Sequence, residues 1–441
     1  MIPPYLELLL FALLGVAIST VLAFLPGLHV YNVIGFGLLA YLAFFPWLDD
    51  LSFTMLLIGM LTGFSILFTI TTIYLSAPDD STMFFVMPAQ KYMLQGRGHE
   101  AVVLTGIGSL AAFFFLVIAL TLGAGHLRTI RQIITPHYFW IVGAVIVYIL
   151  MSEFPKDFGR KRTSAGKLAE AWKTLGAGYL TFFLSTIFGM IVFYKVTMPV
   201  DRAFQSLMPP LVGMFAVPNL LINIITEMEV PKQFISKSVD VRADEVGRGA
   251  GAGCLGGLFA AILPSVTAGP AGLIAGHATA SKGDKPFILS GGSNRVVYYV
   301  GAAMLFFLPG LHLRRGAIGI FVNLFFVPET KEQYYLLAAA IAICACVSFI
   351  LLIFISKYIA SIIHKVSYKK ISIAVLFLII ILVLAMGGPM ALLTMSVGVA
   401  LGTIPVVFHS RRSNCLAIIL MPIFLNMAGL GPTVAGWLGL M

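Results

Sequence analysis

Hydrophobic residues run along this chain in blocks of about 20, without the alternation of exposed strands, and polar residues are confined to short gaps between the blocks. The blocks predict helices over 6–25, 28–45, 51–75, 101–123, 137–151, 174–194, 207–225, 250–280, 286–308, 310–327, 335–355, 371–385, 390–408 and 416–437. Some are short or carry several prolines, so the expectation is an all-α membrane protein with about 10–12 crossings. The gap 126–136 reads as a loop, 227–248 as a surface loop, and 371–385 with 390–408 as a hairpin. Residues 76–82 read either as the end of a re-entrant hairpin or as an external loop.

One block is interrupted most severely, at Ala261-Ile262-Leu263-Pro264-Ser265-Val266-Thr267-Ala268-Gly269-Pro270. Proline removes a backbone donor and clashes with the preceding turn. Lipid leaves the freed carbonyls unsatisfied, so such a break persists only inside protein or along a cavity. Ala23-Phe24-Leu25-Pro26-Gly27-Leu28-His29 repeats the theme in the first half, again before a glycine-rich helix. Paired interrupted helices point to a transporter's binding site; ordinary proline kinks are the plainer reading. The expected organisation is two pseudo-repeats, each with a Pro-broken or re-entrant helix. Residues 1–151 form the first, 152–173 a basic linker, 174–356 the second, and 357–441 the C-terminal helices.

Composition sharpens this picture. The 441 residues are 59% hydrophobic and 10% charged, with a mean hydropathy of +1.00, whereas a soluble domain carries about 25% charged residues. The net charge of +10 lies in short loops, which is the positive-inside pattern and no sign of nucleic acid. Loops 152–173 and 357–370 are therefore expected in the cytoplasm of a multi-pass cell-membrane protein. Of the four cysteines, Cys344 and Cys346 are too close on a helix to bridge, and no metal-ligand spacing is present.

The breaks bring the candidate chemistry. Ser265 and Thr267 are placed to cap a half-helix starting after Pro264. Such a start carries about half a positive charge and free N–H groups, which suit a carboxylate or phosphate. Gly269 lets a ligand approach the backbone. In the first half, Pro26 and Gly27 lead into His29 and Asn32; His29 reads as an anion donor, as a coupling-proton carrier or as a structural hydrogen bond. Asn294-Arg295 lies in or at the edge of a span, where an ionisable residue is a functional candidate. Arg295 either grips an anion with two parallel hydrogen bonds or snorkels to the interface. Asp79 and Asp80 read first as solvated carboxylates and second as Na⁺ ligands beside freed carbonyls. The expected coupling ion is Na⁺ or H⁺, with no organic cofactor.

Several short motifs also resemble the TctA family, the large membrane subunit of tripartite tricarboxylate transporters. They are Leu25-Pro26-Gly27-Leu28-His29; Pro88-Ala89-Gln90-Lys91 leading to Gly96-Arg97-Gly98-His99-Glu100-Ala101-Val102; Gly59-Met60-Leu61-Thr62-Gly63-Phe64-Ser65; Leu263-Pro264-Ser265-Val266-Thr267-Ala268; and Gly402-Thr403-Ile404-Pro405 before Arg411-Arg412. The likeness is to the divergent, largely archaeal branch. Where the family has a second-half Pro-Gly, this chain has Pro264-Ser265. The resemblance implies a tri- or dicarboxylate-like substrate, alternating access, an extracytoplasmic binding protein and a small membrane subunit as partners. Polyprenyl-phosphate recycling translocases also use paired breaks, so a lipid-phosphate flippase is the alternative. A non-transporting membrane scaffold, alone or as a homo-oligomer, is the third reading. Enzyme motifs are missing: there is no Gly-Lys-Ser/Thr phosphate loop, no His-Glu-x-x-His pair and no Gly-x-Ser-x-Gly elbow.

Overall fold

A computed structural model of the chain describes residues 4–25, 28–44, 46–154, 163–195, 197–199, 206–236, 238–278, 283–314 and 326–441. Pro26, Gly27, most of the basic residues of loop 152–173 and most of block 310–327 lie outside the described residues. The described residues form helices and connecting segments: α1 Pro4–Leu22, α2 Val30–Phe44, α3 Asp50–Tyr74, α4 Val86–Leu94, α5 Gly98–Ile134, α6 Tyr138–Ser152, α7 Ser164–Tyr194, α8 Met208–Phe215, α9 Val217–Ile225, α10 Ala243–Ile262, α11 Ala268–Ala278, α12 Asp284–Val296, α13 Ala302–Phe307, α14 Lys331–Ile362, α15 Tyr368–Val407, α16 Ala417–Met427 and α17 Gly431–Trp437.

Among the described residues eight helices are long and apolar enough to cross a membrane, or nine if the pair Arg412–Met427 and Gly431–Trp437, bent by 116°, counts as one span. Several of the sequence blocks are assembled from shorter pieces. α10 carries Asp244, Glu245 and Arg248 in its first turns, and α11 to α13 are short segments around breaks. The loop expected at 126–136 is a correction: α5 continues to Ile134 and passes into the 3-10 turn Thr135–His137. The hairpin expected from 371–385 and 390–408 is a correction: these residues lie in one helical element, α15, kinked at Gly388, whose φ of 69° and ψ of −163° interrupt it before Pro389. Residues 243–248, expected in a loop, already belong to α10.

The chain divides into two compact units, Met1–Ile133 with Leu220–Leu378, and Ile134–Asn219 with Ile379–Met441. In the first, α3 is the axis: its span is wholly buried and apolar on every side, as a helix enclosed by other helices must be. Gly59 and Gly63 let α1 close on it, a Cβ at Gly59 meeting the Ala12 backbone and one at Gly63 meeting Ser19. Gly249, Gly253 and Gly257, four residues apart on α10, do the same for α12, facing Pro286, Ser290 with Ser293, and Val297 with Asn294 respectively.

α5 and the segment from α12 to the end of α13 run in the same direction, since Gly292 faces Thr105, Gly301 faces Leu116 and Gly310 faces Arg128. At their far end Arg128 Nη2 donates to the Pro309 carbonyl at 2.7 Å and Arg131 Nη1 to that of Leu311 at 2.6 Å. At the near end a buried clasp joins four elements. Ser356 Oγ stands 2.9 Å from His99 Nδ1 and 3.1 Å from the Tyr74 hydroxyl, and Tyr368 donates to the Tyr74 carbonyl at 2.9 Å. In the second unit, buried Glu153 accepts the Arg411 N–H and the Asn414 amide, the latter at 2.7 Å, tying the end of α6 to the turn before α16.

Candidate anion-binding centre

The break between α10 and α11 is the first component. Leu263 leaves the helix in extended geometry, and Ser265 takes φ +65°. That left-handed conformation favours glycine, the residue the family pattern places there. Ser265 Oγ turns back to the Pro264 carbonyl at 2.5 Å, so the capping role expected of it is a correction: its hydroxyl serves its own turn. Thr267 precedes α11, and its carbonyl accepts the Ala271 N–H, while its side chain stands at the Asp80 carboxylate.

Two residues of α12 reach this break. Asn294 Nδ2 donates to the Ala268 carbonyl at 2.6 Å, taking up an acceptor near the helix start. Gly272 and Gly256 leave room for the Asn294 amide on its two sides. Arg295 lies eleven residues beyond Asp284 and thirteen before Leu308, about 16 Å into the element, which is close to half the hydrocarbon thickness. Its exposure is 0%, so snorkelling is excluded. Immediately after it the helix widens into a π-turn, Val297–Gly301, a distortion frequent at functional sites.

The connection 75–85 supplies the counter-charge. Asp79 and Asp80, expected first as solvated, are 3% and 1% exposed. Asp79 Oδ1 accepts four hydrogen bonds from its own turn: the Ser81 and Thr82 N–H groups at 3.1 and 2.9 Å, and their hydroxyls at 2.7 and 2.9 Å. Its Oδ2 accepts Arg295 Nη1 at 2.6 Å, and the same nitrogen donates to Ser81 Oγ. Arg295 Nε and Nη2 have no hydrogen-bond partner. The guanidinium lies 4.6 Å from the Phe68 ring centre, 5.0 Å from Tyr299 and 5.1 Å from Phe64.

Asp80 is held differently. Oδ1 is 3.3 Å from His29 Nε2, Thr267 stands beside the carboxylate, and the Asp80 carbonyl abuts Gly269. His29 receives support from Asn32, whose Oδ1 accepts the His29 N–H at 2.8 Å, and its ring meets Tyr299 edge-on at 5.8 Å. The fold thus gathers His29, Asn32, Asp79, Asp80, Thr267, Gly269, Asn294 and Arg295 within the first unit. Ser265 lies at the break with its hydroxyl occupied, and Pro264 shapes that break.

Sequence reasoning missed Ser81, Tyr299, Phe64 and Phe68. It also missed that Phe24-Leu25-Pro26-Gly27-Leu28-His29 recurs letter for letter as Phe307-Leu308-Pro309-Gly310-Leu311-His312. The second copy ends α13, with Gly310 at φ 76° and His312 at φ 40°, and Arg128 and Arg131 bind its carbonyls. The identity of six consecutive residues was the signal available.

A buried arginine with two unpartnered donors, beside a half-helix start, is an arrangement chemically suited to an anion. The chain is 26% identical over 435 residues to an uncharacterized protein of Methanocaldococcus jannaschii, covering 95% of this chain and 98% of that one. No solved structure matches it. The profile of the Tripartite tricarboxylate transporter TctA family matches residues 9–417, nearly the whole chain. With this match, its many apolar helices and its enclosed polar centre, the chain belongs to the TctA family and is a multi-pass membrane protein of a transport system.

Proposed function

We propose that this chain carries an organic anion with a carboxylate group across the membrane by alternating access, with the anion held on Arg295 and coupled to a cation. One observation carries the reading: the Nε and Nη2 edge of a fully buried guanidinium lacks a hydrogen-bond partner, while Nη1 is fixed by Asp79 and Ser81. That edge is the fork that accepts a carboxylate through two parallel hydrogen bonds. Arg97 uses the same two nitrogens on Glu100, at 2.7 and 2.6 Å. The start of α11, with Thr267, adds partial positive charge near the same centre. The clasp of Tyr74, His99, Ser356 and Tyr368 closes one end of the unit, and its opening would release the anion on that side. Lys357, Lys365, Lys369 and Lys370 flank this end, which supports a cytoplasmic assignment. A binding protein and a small membrane subunit would be the partners, as in the tripartite systems of the family.

The test is stabilisation of purified protein by carboxylates, which rises with the ratio of ligand concentration to Kd. A thermal shift abolished in Arg295→Gln is the expected result. A shift produced by a short polyprenyl phosphate and by no carboxylate would replace this reading with a lipid-phosphate translocase.

A further inference from the structure

The valence of the anion follows from the charges already buried around it. Arg295, Asp79, Asp80 and His29 are 0%, 3%, 1% and 2% exposed. Arg295 is the one buried arginine or lysine among the described residues of the first unit. With a neutral imidazole the set carries one net negative charge; with an imidazolium it is neutral. A carboxylate on the open guanidinium edge is then the third acid sharing one arginine. Each further carboxylate would enter without a cation to meet it, and an uncompensated buried ion costs several kcal/mol.

The surroundings repeat the argument. Phe64 and Phe68 cover the guanidinium, Phe84 lies against Gly272, and Phe85 lies against Gly291. These apolar rings supply no donor to a second acid group. Asp80 is the acceptor left over. Arg295 makes its hydrogen bond to Asp79 and not to Asp80, whose carboxylate has the Thr267 hydroxyl beside it and His29 Nε2 3.3 Å from Oδ1. The charged and titratable groups facing Asp80 are therefore His29, Asp79, Arg295 and Tyr299. One added positive charge there returns the centre, once the anion is bound, to the net charge it carries without it.

We infer that the buried centre takes a single carboxylate per cycle, on a substrate whose remainder is uncharged, and that one monovalent cation enters with it at Asp80. This rests on the reading that Arg295 holds the transported anion. The cation is either Na⁺ on the Asp80 and Thr267 oxygens or a proton on the Asp80–His29 pair.

The experiment measures Kd for propionate, succinate and citrate with the purified full-length protein. It is run with NaCl or choline chloride, and at about pH 6 and about pH 8. The expected result is propionate binding about tenfold or more tighter than succinate and citrate, strengthened by Na⁺ in one case or by the lower pH in the other. Asp80→Asn should lose that cation dependence. The cation dependence of the unmodified protein is the second readout if the variant does not fold. Citrate binding tightest, and lost in Arg295→Gln, overturns the single-carboxylate inference while leaving the anion site in place. Propionate binding indifferent to Na⁺ and pH overturns the cation at Asp80. Carboxylate binding unaffected by Arg295→Gln overturns both this inference and the proposed function.

Discussion

Arg295 and Asp79 meet at 2.6 Å across 216 residues of sequence, both fully enclosed, with the arginine on α12 and the aspartate in the turn after α3. Asp79 binds one nitrogen of the guanidinium, and its other oxygen is saturated by Ser81 and Thr82. The pair therefore orients the arginine and leaves Nε and Nη2 on the opposite edge without a hydrogen-bond partner.

Removing one partner of this pair leaves a buried charge alone. Asp79→Ala should lower stability by about 3–5 kcal/mol, read as thermal or denaturant unfolding in detergent. Asp79→Leu combined with Arg295→Met should recover much of that loss and bind no anion. A double variant as unstable as the single one would contradict the pairing.

Arg295→Lys keeps the charge and a link to Asp79 but has no planar fork. Carboxylate affinity should fall about tenfold or more while the unfolding temperature changes little. An unchanged Kd would rule out two-point binding at the open edge.

Ser265 sits at φ +65° where glycine is free of strain. Ser265→Gly should be neutral or stabilising by up to about 1 kcal/mol. Ser265→Val, β-branched in the same conformation, should destabilise and distort the break. Equal stability of the two variants would show that the backbone there adopts an ordinary φ.

Helix contacts through glycine give a contrasting pair. A Cβ at Gly253 meets Ser293, the Ser290 carbonyl and the Asn294 nitrogen, whereas one at Gly123 meets nothing within 4 Å. Gly253→Ala should cost about 1–3 kcal/mol through overpacking. Gly123→Ala should be neutral or slightly favourable. The comparison is made by unfolding under one set of detergent conditions.

Asp49 caps α3, accepting the Leu51 and Ser52 N–H groups at 3.2 and 3.3 Å. The Ser52 side-chain hydrogen bond, together with those N–H groups, holds its carboxyl below the usual range. A depressed folded pKa gives stability that is present above the unfolded value, near 4, and is lost as pH falls through the folded one. Asp49→Ala should thus cost about 1 kcal/mol at neutral pH, and the gap to the unmodified protein should close in acid. A gap that persists below about pH 3 would assign the loss to packing.

Some of the architecture can be read directly from local pattern. Block 51–75 appears as α3, Asp50–Tyr74, because a run of apolar residues with an aspartate before it defines both the span and its cap. The break after Leu263 appears where Pro264 removes a donor. Local pattern fails where a distant partner changes the environment. Arg128 and Arg131 mark a loop by composition, yet α5 continues through them because carbonyls of Pro309 and Leu311 accept their hydrogens. Asp79 and Asp80 resemble a solvated turn by composition, and only Arg295 and His29 make their burial tolerable.

By itself the sequence determined the membrane class, many of the helical spans and the proline break after Leu263, since apolar run length and backbone donors are properties of neighbouring residues. Tertiary structure alone decided that an arginine of one segment, two aspartates of a second and a histidine of a third share one dry centre. Electrostatic pairing acts through space, and its energy depends on distances and burial that no local pattern encodes.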